Sequence, residues 1–288
     1  MSKKVIIIGS GIAGISASLK LKSYGISSII VDKGNFIGGR ISTREIKNNL
    51  SSRYFFHGAQ FFTAKTHDFK KIVRKGITRQ YIKEFGDFKP KRYRGYITMR
   101  DFLLNLSKEL HIQQKVKIIK VIPINNEINI LDDKIEKWKS YDGVISTIPA
   151  PQNHDLLNKF PLLQKTLKTG SYNACISLMF TFNEIPFDLR THYDLYKKPG
   201  ILSWMASGSH LNVWTAHTNE EFSDLNYNED IDILKEKIMS AINQFFPRSK
   251  TKFHSLHIWR YAKVANKCFG PQIDPKYPVA IAGDFLEG

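Results

Sequence analysis

The chain has little cysteine and no long apolar run. Cys175 and Cys268 are the only cysteines in 288 residues, and their spacing excludes a CxxC motif. We therefore expect neither a disulfide framework nor a thiolate metal site. His254 and His257 lie in a strand-like segment, where a spacing of three directs them to opposite faces, so they do not indicate a metal pair either. No apolar stretch approaches the roughly 20 residues that a membrane-spanning helix needs.

A cleavable leader is also not indicated. The first apolar run begins at Val5, which leaves no room ahead of it for the regions of a signal peptide. Together with the scarcity of cysteine, this predicts a cytoplasmic protein without a membrane partner.

Acidic residues are few. The chain has 26 acidic and 43 basic residues, and its formal net charge is +17. Such an excess can indicate a nucleic-acid or membrane partner. The basic residues are scattered, however, apart from short clusters within 70–75 and 89–94. We therefore expect no nucleic-acid partner and a basic surface that attracts phosphate-bearing ligands.

An apolar run near the N-terminus leads directly into three glycines. Val5–Ile8 predicts a buried parallel strand, and a helix is predicted from about Gly14 to Tyr24. Gly9 permits a tight turn, Gly11 lets the backbone approach a phosphate, and Gly14 lets helix and strand pack closely. The start of the helix offers N–H groups and a partial positive charge to an anion. The motif predicts a dinucleotide pyrophosphate site.

A second apolar run, Ser28–Val31, ends in Asp32. At this spacing an acidic side chain accepts hydrogen bonds from a ribose hydroxyl. The alternative is an ordinary βαβ unit with a glycine-rich turn. At this point NAD and FAD are both open.

The segment after Asp32 contains Gly38, Gly39 and Arg40. The two glycines permit a tight turn over a cofactor, and the arginine can make a charge-assisted contact with a pyrophosphate. A surface turn with a solvated arginine is the alternative. An acidic residue followed six residues later by Gly-Gly-Arg resembles the N-terminal signature of the FAD-dependent amine oxidase superfamily.

Further blocks resemble the bacterial renalase-like flavoproteins of that superfamily, in the same order and over essentially the whole chain. They are GGRISTR at 38–44, HGAQFFTA at 57–64, DGV at 142–144, TIPAP at 147–151, the segment 213–223 with His217 in register, HIWRYA at 257–262 and GDF at 283–285. Two departures stand out. Phe56 replaces the family's aspartate before the HGAQ histidine. The chain also stops at Gly288, where the family continues into a helix directed at the flavin, so we expect a C-terminally truncated sequence that lacks this helix.

The glycine motifs and the resemblance together imply non-covalent FAD as the cofactor and no metal. The implied cofactor-binding residues are Gly9, Ser10, Gly11, Ile12, Ala13, Gly14, Asp32, Lys33, Gly39, Arg40, Gly58, Ala59, Gln60, Ile118, Thr147, Gly283 and Asp284. Candidates for the flavin or substrate face are His57, Gln60, Trp259 and Arg260. Trp259 can equally be a core aromatic residue, and His57 a buried structural histidine.

The fold class implied is α/β, with a three-layer, Rossmann-like FAD-binding domain and an inserted α+β substrate domain built on an antiparallel sheet. We place the first domain at 1–65, 98–150 and 264–288, and the second at 66–97 and 151–263. In the first, a helix is expected at about 99–110 and strands at 116–122, 128–131 and 142–148. In the second, strands are expected at 174–182, 201–206 and 211–217, and an amphipathic helix at 231–246.

The resemblance implies an enzyme that transfers hydride from a small-molecule substrate to flavin N5, with O2 as the acceptor and H2O2 as the product. Renalase-like proteins imply an isomeric dihydronicotinamide dinucleotide as substrate, whereas the wider superfamily implies an amine. An aromatic cage would favour an amine, and basic groups at the mouth of the site would favour a dinucleotide. A catalytically silent flavin-fold protein and an NAD-only dehydrogenase are further alternatives.

Overall fold

The protein is described by a computed structural model that covers residues 3–47, 52–124, 127–134, 139–186, 194–196 and 200–287. In chain order the strands of these residues are β1 (Lys4–Ile8), β2 (Ser27–Asp32), β3 (Arg44–Lys47), β4 (Ser52–Phe55), β5 (Ile82–Glu84), β6 (Tyr93–Gly95), β7 (His111–Gln114), β8 (Ile118–Ile124), β9 (Glu127–Asp132), β10 (Lys139–Tyr141), β11 (Gly143–Ser146), β12 (Ser171–Phe182), β13 (Asp194–Tyr196), β14 (Leu202–Ser207), β15 (Val213–Thr218), β16 (Thr251–Asn266) and β17 (Val279–Ile281).

The α-helices of the same residues are α1 (Ile12–Ser23), α2 (His67–Thr78), α3 (Asp101–Leu106), α4 (Asn153–Leu156), α5 (Pro161–Leu167), α6 (Glu220–Asn226), α7 (Ile231–Phe245) and α8 (Asp284–Glu287). Two short 3-10 helices cover Gly39–Ile41 and Ala150–Gln152. The chain divides into two compact units. The first comprises 1–39, 103–172 and 264–288, and the second comprises 40–102 and 173–263.

The first unit is built on a parallel sheet with the strand order β17-β11-β1-β2-β7. β1 lies at its centre and pairs in parallel with β2 and β11, with Ile7 beside Ile30 and Ile145. Such a strand is covered on both faces, which is why the run Val5–Ile8 contains no polar side chain. Helix α1 follows β1 directly and packs against β1 and β2. A separate antiparallel sheet has the order β10-β9-β8.

The second unit is built on an antiparallel sheet with the strand order β13-β14-β15-β12-β16. Helix α7 covers it with Leu234, Ile238 and Ile242, whose spacing of four places them on one helical face. They join a core that contains Phe180 and Trp214 of the sheet. Two hairpins, β3-β4 and β5-β6, complete the unit.

The predicted fold class is confirmed, because a Rossmann-like parallel sheet and an antiparallel sheet are both present. The predicted strands around 5–8, 28–31, 116–122, 128–131 and 174–182 and the helix at 231–246 appear with small shifts at their ends. The helix expected at 99–110 is shorter, at Asp101–Leu106. Asp101, its first residue, fixes the preceding turn by accepting hydrogen bonds from the backbone N–H groups of Ile97 and Thr98.

The division into units differs from the predicted domain boundaries for three segments. Residues 40–65 and 98–102 belong to the second unit, because hairpin β3-β4 packs its Phe55 against Met179 and Val213. Residues 151–172 belong to the first unit, because Leu156, Leu163 and neighbours in α4 and α5 are buried in its core. None of these elements was predicted from the sequence, and local periodicity does not show which core a segment joins.

The segment after β17 turns into the single-turn helix α8 at Asp284. The expected truncation of the helix that follows Gly283 and Asp284 stays a prediction. Phe285 of this turn is almost fully buried in the core of the first unit, and its carbonyl accepts a hydrogen bond from the backbone N–H of Cys268. Across the described ranges, none of the helices has both the length and the apolar character that crossing a bilayer requires.

Candidate functional site

The glycine loop of the first unit has the geometry of a phosphate-binding turn. Gly9 has a φ of +109°, a conformation that residues with a Cβ rarely adopt. A Cβ on Gly14 would lie 1.9 Å from the carbonyl oxygen of Gly9, so this close approach of helix and loop requires glycine. Gly11 is the N-cap of α1, and a Cβ there would meet no atom within 4 Å. Gly11 is therefore the glycine that faces open space.

Asp32, at the end of β2, holds the loop in place. Its Oδ2 accepts hydrogen bonds from both the backbone N–H and the Oγ of Ser10, each at 2.7 Å. Its Oδ1 accepts from the backbone N–H of Gly34, also at 2.7 Å. This carboxylate was predicted to accept a hydrogen bond from a ribose hydroxyl. In the structure its two oxygens accept hydrogen bonds from Ser10 and Gly34. Thr147 supports the other side of the loop, since its Oγ1 donates to the carbonyl oxygens of Ile8 and Gly9 at 2.9 and 3.1 Å.

The second glycine block lies against the first. Gly39 has a φ of +52°, and a Cβ built on it would be 3.6 Å from the Cα of Gly11. The backbone N–H of Gly38 donates to the carbonyl oxygen of Ser10 at 3.1 Å. Gly11 and Gly39 are 28 residues apart in the sequence, and the two blocks form one backbone surface beside the start of α1.

The remaining predicted residues of the first unit lie in several places. Lys33 is exposed, with its Nζ 3.4 Å from Oε1 of Gln152. Ile118 begins β8 and packs against the core. Gly283 precedes α8, and Oδ1 of Asp284 accepts a hydrogen bond from the Tyr172 hydroxyl at 3.1 Å.

The second unit contains a cavity of about 860 Å³ between its sheet and the segment 57–59. This volume is in the range of small-molecule sites. The cavity is lined by Arg40, His57, Gly58, Ala59, Ala174, Cys175, Leu202, Ser203, Trp204, His217, Thr218, Asn219, Glu220, Glu221, Trp259, Ala262 and Lys263.

The backbone carbonyl of His57 organises one wall of this cavity. It accepts three hydrogen bonds, from Ser177 Oγ at 2.7 Å, Trp259 Nε1 at 2.8 Å and His217 Nε2 at 3.3 Å. The imidazole of His57 stacks on the ring of Trp259 with 5.4 Å between centroids, and Nε2 lies 3.0 Å from Ser42 Oγ. The arrangement attaches the 57–59 segment to three strands of the sheet.

The histidines of this wall are neutral. Burial, together with the smaller effects of the neighbouring His257 and Arg44, lowers the pKa of His57 to about 3. Burial lowers the pKa of His217 to about 4, against a smaller opposing effect of its hydrogen bond to the His57 carbonyl. The cavity wall therefore offers hydrogen bonds and aromatic surface without an imidazolium charge at neutral pH.

Arg40, Gly58 and Ala59 meet at another part of the cavity. The backbone N–H of Ala59 donates to the carbonyl oxygen of Arg40 at 2.8 Å. A Cβ on Gly58 would lie 2.1 Å from that oxygen, so this contact requires glycine. Arg40 Nη1 donates to the carbonyl oxygen of Ala262 at 3.3 Å. The side chain thus has a fixed position at the cavity.

Two predicted residues do not line the cavity. Arg260 follows Trp259 on the strand, so it points to the opposite face, where it is exposed and donates to Oδ1 of Asn228 at 3.2 Å. Gln60 is only 4% exposed, and neither atom of its amide has a hydrogen-bond partner within the described residues.

Arg94, which belongs to the basic cluster within 89–94, is buried and lies over the ring of Phe85.

Sequence reasoning missed most of the sheet's contribution to the cavity. Cys175, Ser203, Trp204 and His217 come from three strands and were not among the predicted site residues. Burial raises the pKa of the Cys175 thiol to about 12, so it stays protonated. The one available signal was His217, which falls in register with a histidine of the family blocks.

A dinucleotide cofactor fits the residues of the first unit. The space in front of Gly11, the N–H groups at the start of α1 and the tight backbone of Gly39 match what a pyrophosphate requires. Asp32 adds a carboxylate at the position that receives a ribose in such loops. Within the described residues, no group of three or more His, Cys, Asp or Glu side chains could hold a metal ion.

Comparison with known proteins supports this reading of the fold. Residues 7–75 match the family model of NAD(P)-binding Rossmann-like domains. A 43-residue segment is 46% identical to the 4,4'-diaponeurosporene oxygenase of Staphylococcus haemolyticus, over 15% of this chain and 9% of that protein. The chain spans less than a third of the length of the curated relatives that it matches.

Solved structures resemble the chain over nearly its whole length. A protein from Exiguobacterium sp. 255-15, provisionally assigned as a protoporphyrinogen oxidase, has a TM-score of 0.75 at 11% identity and covers 100% of this chain and 95% of its own. A triple mutant of putrescine oxidase has a TM-score of 0.71 at 10% identity, over 98% of this chain and 93% of its own. The chain has the fold of these oxidase structures.

Proposed function

We propose that this protein is an FAD-dependent oxidoreductase. The observation that carries the proposal is the packing of Gly39 against Gly11, because it adds the second glycine block to the dinucleotide loop. A dehydrogenase that binds only NAD has no need of this second block. The flavin enzymes among the similar proteins support the same choice of cofactor.

The first unit is proposed to bind the ADP portion of FAD. The N–H groups at the start of α1 bind the pyrophosphate, and Asp32 accepts a hydrogen bond from the ribose. Ser10 and Thr147 support these groups, since their hydroxyls fix the carboxylate and the loop carbonyls. When bound, FAD supplies the two-electron chemistry, accepting a hydride from the substrate and passing the electrons to O2 to give H2O2.

The cavity of the second unit is proposed to bind the substrate. Trp204 and Trp259 provide apolar walls that exclude water, and the fixed 57–59 segment orients the bound molecule. Since burial holds the pKa of His57 and His217 far below 7, neither acts as a cationic proton donor at neutral pH.

The leading substrate is an isomeric dihydronicotinamide dinucleotide, as in renalase-like proteins. The guanidinium of Arg40 at the cavity supports it, because it can attract a phosphate group, whereas Lys263 is paired with Glu220 at 2.6 Å. An amine is the second candidate. The observations that favour it are Glu221, an exposed carboxylate at the edge of the cavity, and the two tryptophan walls.

The proposal is tested on the purified full chain. Bound oxidised FAD predicts a yellow protein that absorbs near roughly 450 nm and releases FAD on denaturation. Anaerobic mixing with dihydronicotinamide isomers or with amines should bleach this absorbance for one of the two classes. A colourless protein that cannot be reconstituted with FAD contradicts the proposal, and a flavin that no candidate bleaches favours a catalytically silent protein.

A further inference from the structure

The His57 carbonyl determines the tautomer of His217. A carbonyl oxygen can only accept, so at 3.3 Å the Nε2 of His217 must carry the hydrogen. Ser177 and Trp259 donate to the same oxygen and hold it in place from two other strands. The His217 ring is therefore oriented by a fixed main-chain atom.

The other ring nitrogen is consequently a hydrogen-bond acceptor. A neutral imidazole carries one N–H, and burial keeps this ring neutral, with its pKa lowered to about 4. Nδ1 thus presents a lone pair. The nearby Ser203 hydroxyl does not use it, because it donates to the carbonyl oxygens of His217 and Thr218 at 3.2 and 3.0 Å.

This acceptor belongs to the cavity. His217 is among the cavity-lining residues, and no described residue donates to its Nδ1. The neighbouring Cys175 thiol stays protonated and lies 4.0 Å from the carbonyl oxygen of Thr218. The fixed direction of this acceptor makes it selective, since a ligand donor placed against it gains a bond that water no longer competes for.

We propose that Nδ1 of His217 is the atom that orients the ligand of this cavity, by accepting a hydrogen bond from an N–H group such as that of a primary carboxamide. This rests on the proposed function in taking the cavity as the substrate site. Ser177 acts as a positioning residue, because it does not line the cavity and reaches the ligand only through the His57 carbonyl and the orientation of His217.

The test uses ¹⁵N NMR of the histidine rings in the full-length protein, with nicotinamide and N,N-dimethylnicotinamide as probes. Without ligand, His217 should show a protonated Nε2 and an unprotonated Nδ1. Nicotinamide should shift the Nδ1 resonance, whereas the dimethylated probe, which has no N–H to donate, should bind about threefold to tenfold more weakly. An Nδ1-protonated ring, or equal binding of the two probes, overturns the proposal.

Two substitutions separate the roles of the ring nitrogens. His217→Asn keeps a polar atom near the position of Nδ1, and His217→Gln keeps one near Nε2. We expect the glutamine variant to bind nicotinamide about threefold to tenfold more weakly, and the asparagine variant to stay closer to the parent. His254→Gln is the matched control, because His254 bonds Thr181 and does not line the cavity. Equal losses in the asparagine and glutamine variants contradict the assignment.

The outcome is separate from that of the proposed function. Flavin content is read from absorbance on the same samples, so a protein without flavin counts against the FAD proposal. The ring tautomer and the difference between the two probes are measured without turnover, and they decide the role of His217.

Discussion

Gly11 and Gly14 lie three residues apart, yet they should respond to substitution in opposite ways. At Gly11 the φ is −74° and the ψ is −176°, an extended conformation that any residue adopts, and an added Cβ meets nothing within 4 Å. Gly11→Val should therefore leave the apo fold intact. At Gly14 the added Cβ would meet the Gly9 carbonyl oxygen at 1.9 Å, so Gly14→Ala should disturb the fold itself.

The size of each effect follows from these distances. In Gly11→Val the methyl groups of the introduced side chain would extend into the space that a pyrophosphate oxygen needs, and such overpacking costs about 1 to 3 kcal/mol. FAD should then bind about 5-fold to 150-fold more weakly. In Gly14→Ala a similar free-energy cost should reduce the stability of the fold. In a chain of this length it should lower the Tm of the apoprotein by about 2 to 12 °C.

The assay measures two quantities for each variant, the Kd for FAD from absorbance titration and the Tm of the apoprotein. The apo form is necessary because bound FAD itself raises the Tm. The expected result for Gly11→Val is a weaker Kd at an unchanged apo Tm, and for Gly14→Ala a lowered apo Tm. Unchanged FAD affinity in Gly11→Val would refute the placement of the pyrophosphate.

Three further predictions concern stability. Asp32→Ala removes the acceptor of the N–H groups of Ser10 and Gly34, and it should lower the free energy of unfolding in urea by about 1 to 3 kcal/mol. Ser10→Ala removes only the hydrogen bond of the hydroxyl and should lower it by about 0.5 to 1.5 kcal/mol. Equal losses in the two variants would contradict the role of Asp32 in holding the loop. Trp259→Phe keeps an aromatic ring but removes the donor to the His57 carbonyl and should cost about 1 kcal/mol, and an unchanged unfolding midpoint would count against that bond. The free energy of unfolding should also fall as the pH is lowered from 6.5 towards 4. The unfolded chain protonates its histidines at their ordinary pKa, whereas in the folded protein His57 and His217 stay neutral down to their pKa values of about 3 and 4. At pH 5 the loss is about 2 kcal/mol for each histidine, and His217→Gln should make the unfolding free energy depend less on pH.

The sequence predicted the first unit well because its site is local. The strand, the turn and the helix of the glycine loop are consecutive, so apolar periodicity and glycine spacing suffice to predict them. The hydrogen bonds of Asp32 to Ser10 and Gly34 were not predicted, since the sequence pattern assigned this carboxylate to a ribose hydroxyl. The packing of Gly39 against Gly11 was suggested by resemblance alone, since no local rule places the two blocks together.

The cavity of the second unit could not be predicted in the same way. Its wall comes from strands far apart in the sequence, and which faces meet depends on register. Arg260 shows the difficulty, because a single-residue step along β16 separates it from Trp259 and the cavity. His217 shows the converse, since only the pairing of its strand with its neighbours brings it to the His57 carbonyl.

The triple hydrogen bond at the His57 carbonyl has a consequence for mutational scanning. Every residue type at position 57 carries that oxygen, so substitutions there report on the imidazole and leave the three bonds unexamined. The contribution of this oxygen should instead be visible in double substitutions of Ser177, His217 and Trp259. Their effects on stability should be non-additive, because the three side chains share one acceptor. A scan limited to single substitutions would therefore report three unrelated positions, although the three side chains bind the same carbonyl oxygen.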